Sequence, residues 1–129
     1  MFLIDTCVLS ELSRPLPHPP VLEWLNAQEE VVVSTMSLQE LSFGVKRKGS
    51  AKLALWFAEL LPALTVLPVT REISLMAGEF QALSEKTGIQ LADADALIAA
   101  TAAVSGRILV TRNFKDFANC PLTLKNPFI

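Results

Sequence analysis

The sequence predicts a single α/β domain, residues 1–129, built on a central, mainly parallel sheet. Short aliphatic runs alternate with longer helix-like runs along the whole chain, the arrangement that joins parallel strands by helical crossovers. No repeat, low-complexity tract or linker divides it. Its 129 residues suit one domain, and 51% of them are hydrophobic, enough for a core without disulfide or metal staples.

The elements follow in order. Residues 2–4, FLI, form a first strand that ends at Asp5. After Arg14 the segment PLPHPP is loop, because its four prolines break regular structure. Pro19 or Pro20 opens a helix through VLEWLNAQ, with Val21, Trp24 and Leu25 on one face. Residues 31–33, all valine, form a second strand. A helix starts near Ser37, where Ser37 and Glu40 make the S-x-x-E pattern of a capping box, and stops at Gly49. Residues 51–61 form another, closed by Pro62. Residues 65–69 are a short strand carrying Pro68, which places it at an edge. A long helix covers 71–86 and ends at Gly88. LADADALIAATAAVSG is the next helix, ended by Gly106. Ile108–Val110 is an apolar strand, FKDF a loop or short helix, and residues 122–124 one more edge strand.

Composition excludes several functions. Mean hydropathy is +0.42, yet no apolar run reaches the roughly 18 to 20 residues of a membrane span. The start, MFLIDTCVLSEL, lacks the basic region and cleavage site of a signal peptide, so a cytoplasmic protein is expected. The apolar excess points to oligomerisation. A net charge of −2 provides no general field for nucleic acid, which argues against a purely electrostatic DNA binder. It leaves room for an enzyme that meets nucleic acid through metal ions. Cys7 and Cys120 form no CxxC and read as free thiols. His18, the only histidine, sits among prolines and does not suit a general base. With five glycines and no Gly-rich loop, a dinucleotide fingerprint is absent. Carboxylates remain, and hard oxygen ligands suit Mg²⁺ or Mn²⁺.

Each acid has a structural and a functional reading. Asp5, at the end of a strand, could cap the helix that follows or ligate a metal at the edge where α/β sheets bind ligands. Glu40 could complete the capping box or project toward the strand ends. Asp93 and Asp95 lie about 200° apart around a helix axis, at about 100° per residue, so they cannot share one metal. Asp93 suits the N-cap, while Asp95 lies on the stripe of Ile98, Ala99 and Ala102 and is the better ligand. A haloacid-phosphatase D-x-D is rejected, because Leu97 stands where Thr or Val belongs and no strand precedes the pair. Asp116, just beyond the strand 108–110, is the fourth candidate. Arg112 and Lys115 flank it and could hold phosphate. Lys46, Arg47 and Lys48 end a helix, as the dipole favours, or touch a nucleic-acid backbone.

The segments FLIDTCVLSEL, STMSLQELSFGV, DALIAATA, ILVTRNFKDF and LKNPF, in this order, resemble the PIN-domain ribonuclease toxins of the VapC/FitB branch of type II toxin–antitoxin systems. The resemblance covers nearly the whole chain. It implies a three-layer α/β/α sandwich and an endoribonuclease that hydrolyses RNA by metal-activated water. Asp5, Glu40 and Asp95 match the metal-binding acids, with Asp116 as the fourth and Mg²⁺, or Mn²⁺ in its place, as the ion. Thr6 and Thr111 match the hydroxyl residues beside the acids; with Arg112 and Asn113 they are the expected substrate contacts. Cys7 departs from the family, which commonly has Asn there. The resemblance further implies a homodimer, an antitoxin partner and contact with DNA only through that antitoxin. Two rivals are a weakly active binding module working in a DNA-bound repressor complex, and a processing nuclease of the same fold.

Overall fold

The computed structural model describes residues 1–129. Five strands form one layer, as a three-stranded and a two-stranded sheet side by side: β1 (Phe2–Ile4), β2 (Val31–Ser34), β3 (Leu64–Leu67), β4 (Ile108–Val110) and β5 (Leu124–Lys125). Every ladder is parallel: β1 pairs with β4, β4 with β5, and β2 with β3. β1 also lies against β2, so the order across the molecule is β3-β2-β1-β4-β5. The chain leaves β1 toward one side and returns on the other, making β1 the point where strand order reverses. Ligands of open α/β sheets bind beyond the carboxyl ends of the strands at such a point.

Six helices cover the sheet: α1 (Thr6–Leu9), α2 (Pro19–Asn26), α3 (Thr35–Lys48), α4 (Ala51–Leu60), α5 (Arg71–Glu85) and α6 (Asp93–Val104). Alternation along the strands sorts them into layers, since successive side chains face opposite ways. Leu3, Val32 and Leu109 share one core with Ile73, Ala77 and Phe80 of α5 and Ile98 and Ala99 of α6. Ile4, Val33 and Val110 share the other with Val8 of α1, Val21 and Leu25 of α2, and Leu41 of α3. The expected three-layer α/β/α arrangement is therefore present. α6 is buried on most of its surface through Ala96, Ile98, Ala99, Ala100, Thr101 and Ala102. Its alanines let it sit close to both α5 and the sheet.

Some boundaries differ from expectation. α3 begins at Thr35, because β2 runs on to Ser34 and the Ser34 hydroxyl caps the helix by accepting from the Met36 amide (3.1 Å). The Ser37–Glu40 capping box does not form. β3 ends at Leu67, which leaves Pro68 outside the ladder of this edge strand. β5 lies one to two residues beyond the expected 122–124. Gly49 ends α3 with φ at 64°, a left-handed conformation that glycine adopts without a Cβ penalty. Because Ser34 is fully buried and caps α3, Ser34→Ala should lower unfolding free energy by about 1 kcal/mol. Urea denaturation that shows no change would remove the cap from the stability argument.

Candidate active site

β1 carries Asp5 to the switch point. Its amide donates to the Val110 carbonyl of β4 (2.9 Å), so the ladder continues one residue past the strand and fixes the backbone under the carboxylate. The side chain is only 3% exposed, and donors reach both of its oxygens. The Thr6 amide donates to Oδ1 (2.7 Å); the Thr111 hydroxyl (2.8 Å) and the Cys7 thiol (3.6 Å) donate to Oδ2. Burial raises the Asp5 pKa and the nearby Glu40 charge adds to it, while the three donors pull it down. Burial, with Asp5 beside it, pushes the Cys7 thiol up to about 11. It stays protonated at neutral pH and acts as a donor.

α3 supplies the second acid. Ser37 and Glu40 lie one turn apart on the same helix face, and both meet Thr6 of α1. Thr6 Oγ1 is 2.7 Å from Glu40 Oε1 and 3.0 Å from Ser37 Oγ. The single hydroxyl proton of Thr6 serves the carboxylate, the stronger acceptor.

The first turn of α6 supplies Asp95, which is partly buried. Its pKa is pushed up to about 6, first by burial and then by the charges of Asp5, Glu40 and Asp116. Four acids from β1, α3, α6 and the turn after β4 thus share one electrostatic neighbourhood. None is neutralised by a cation, for the one ion pair in the structure joins Arg14 to Glu11. No three carboxylates, thiols or imidazoles converge closely enough to enclose a metal ion by themselves.

Other expected residues fall as follows. Asp116, Arg112 and Asn113 are exposed on the turn after β4. The Asn113 amide donates to Thr111 Oγ1 (3.0 Å). Thr111 itself is fully buried, which corrects its expected role as a substrate contact: its hydroxyl holds Asp5 instead. Asp93 does not cap α6. Ala92 occupies that position, and Asp93 accepts from Gln81 Nε2 (2.8 Å). Ser37, expected as a helix cap, meets Thr6 instead. Its i,i+3 spacing from Glu40 is the sequence sign that it belongs to the same cluster.

A sequence model of the PIN domain matches residues 2–120. VapC ribonuclease Y4jK of Sinorhizobium fredii is 34% identical, over 99% of this chain and 98% of its own length. The chain belongs to the PIN-domain family, in its VapC/FitB branch. The structure of FitAcB from Neisseria gonorrhoeae superposes on this PIN domain with a TM-score of 0.90 at 29% identity, over 99% of both chains. VapBC2 of Rickettsia felis, solved bound to a DNA fragment from its promoter, gives 0.78 at 27% identity over 97% of each. These relatives match the PIN domain end to end, so it shares their whole fold rather than one motif.

Proposed function

We propose that this PIN domain is a Mg²⁺-dependent endoribonuclease, the toxin of a type II toxin–antitoxin pair acting in the cytoplasm. The observation that carries the reading is the group of four carboxylates at the switch point with no cation paired to any of them. The similarity to a ribonuclease named VapC supports RNA as the substrate. All the donors are oxygens, as Mg²⁺ or Mn²⁺ prefers. Of Asp5, Glu40, Asp95 and Asp116, one or two would bind the ion directly and the others through its waters; when bound it would activate water and offset charge on the phosphate.

The protein's own part is preorganisation. Thr111, Cys7 and the Thr6 amide orient the Asp5 carboxylate, and Thr6 orients Glu40. Arg112 and Asn113 stand exposed at the mouth to meet the RNA backbone. Partner binding belongs to the same proposal. α4 buries none of its residues fully, and with α3 it lines an apolar groove of about 450 Å³ through Val45, Ala54, Phe57 and Leu61. Phe43, Leu55 and Leu75 are more than half exposed. Such faces suit a second copy and an antitoxin.

Purified protein should cut single-stranded RNA with Mg²⁺ or Mn²⁺ and stop on addition of EDTA. Cleavage that persists in EDTA would sink the metal-dependent reading. The DNA-bound VapBC2 structure favours one second reading, a binding module in a repressor complex with little turnover. Toxicity on expression separates the two: the nuclease loses it with Asp5→Asn, the binding module keeps its effect.

A further inference from the structure

The C-terminal tail places an aromatic ring, Phe128, one residue before the last, Ile129, near the acid site. Phe128 is 8% exposed and packs into the core shared by Ile4, Val8 and Val110. The Arg112 guanidinium lies over this ring, with Cζ 4.2 Å from its centroid. The His18 imidazole stacks on it at 5.6 Å and 27°, and His18 Nε2 is 2.9 Å from the Phe128 carbonyl oxygen. His18 is itself fixed. Its amide donates to Oε1 of Glu11 (2.9 Å), a carboxylate that is 5% exposed. The Phe128 amide donates to Asn126 Oδ1 (2.9 Å), which closes the tail on itself. A continuous set of contacts thus runs from the turn after α1, through the start of α2 and the tail, to Arg112.

Arg112 is exposed and pairs with no carboxylate. It directly follows Thr111, whose hydroxyl is on Asp5. A guanidinium held over an aromatic ring by its carbon can still offer N–H groups in a fork that matches two phosphate oxygens. A free arginine gives up about 2 kcal/mol of rotamer entropy on docking, and one already held on a ring gives up less. The four acids nearby repel RNA, so a fixed cation at their border has a clear electrostatic use.

We propose that Phe128 and His18 are positioning residues that hold Arg112 to grip a backbone phosphate of a single-stranded RNA beside the cleavage point. This rests on the nuclease reading above and assigns the tail a part in substrate binding. The test compares wild-type protein, Arg112→Ala, Arg112→Lys, Phe128→Leu and the double variant Arg112→Ala/Phe128→Leu. Each cleaves a mixed-sequence, fluorescently labelled single-stranded RNA in Mg²⁺ at several salt concentrations, and thermal melting checks its fold.

Arg112→Ala should raise KM about tenfold, with the change in KM rather than kcat. It should reduce the slope of log kcat/KM against log salt by about 0.7, the value of one single-stranded phosphate contact. Arg112→Lys should keep the slope while KM rises, because the charge remains and the fork is lost. Phe128→Leu keeps the apolar plug and should raise KM about threefold, the loss expected for a partly exposed cation–π contact. The double variant should match Arg112→Ala alone, since the ring acts through the guanidinium. An unchanged KM in Arg112→Ala overturns the proposal. So does a fully additive double variant, or a Phe128→Leu that lowers only the melting temperature; each makes the tail a structural strut. The two Arg112 variants alter a surface residue and keep the test decisive if Phe128→Leu does not fold. Wild-type protein that cuts no RNA overturns the nuclease reading and this assignment together, whereas wild-type cleavage with KM unmoved overturns this assignment alone.

Discussion

Asp5→Ala and Asp5→Asn should both reduce RNA cleavage by about a thousandfold or more, the order of loss when a main electrostatic element of a reaction site is removed. Their effects on the fold should differ. Asp5 accepts from the Thr6 amide and the buried Thr111 hydroxyl. Alanine leaves both donors without a partner, at about 1–3 kcal/mol each, less what is regained by no longer burying a carboxylate. Asparagine keeps an acceptor for the amide, and the Thr111 hydroxyl can turn to accept from the new NH₂ group. It also removes a charge that burial disfavours. Asp5→Asn should therefore melt at or above the wild-type temperature without metal, while Asp5→Ala melts several degrees below it. Loss of activity in a variant that folds as well as wild type marks a functional acid. If both variants cleave normally, Asp5 is a helix cap and no more.

The layers and the positions of the acids were legible because they follow from local chemistry. The aliphatic runs of β1, β2 and β4 alternate between two cores, and Asp5 and Thr111 each stand one residue past a strand end. Gly49 announced the end of α3, since only its left-handed conformation was needed there. Helix starts were less legible, because several residues could cap and tertiary contacts chose among them. Ser34 and Ser37 are both able caps. β2 extends to Ser34 and places it at the helix start, and Ser37 is drawn to Thr6 instead. Asp93 is intrinsically a better cap than Ala92, yet Gln81 of α5 claims its carboxylate.

The site shows the same division. Its acids could be assigned through the resemblance and their spacing, while the groups that aim them could not. Thr6 reaches Glu40 across 34 positions of sequence and Thr111 reaches Asp5 across 106. The contact of Arg112 with Phe128 leaves no periodic trace either. Such pairings are set by the crossover connections and the sheet order.

Asp95→Asn should stabilise the metal-free protein at neutral pH and leave it almost unchanged in acid. The Asp95 pKa rises from an ordinary 3.8 to about 6 in the folded protein, through burial and then the charges of Asp5, Glu40 and Asp116. The folded state therefore holds a proton there that the unfolded chain releases between those values. Stability from this group is fully present below about pH 4 and lost as pH rises through about 6. Asparagine mimics the protonated form at every pH. The whole shift would correspond to about 3 kcal/mol, and partial solvent exposure reduces this to about 1 kcal/mol. In a domain of this size that is about 3–4 °C in melting temperature. The difference between variant and wild type should open between pH 4 and pH 6 and stay constant above pH 7. Mg²⁺ should close it, since an ion that binds the carboxylate stabilises only the protein that has one. Melting curves across this range, with and without Mg²⁺, decide the matter. A lower melting temperature for Asp95→Asn at neutral pH without metal would mean that Asp95 has a stabilising partner inside the protein.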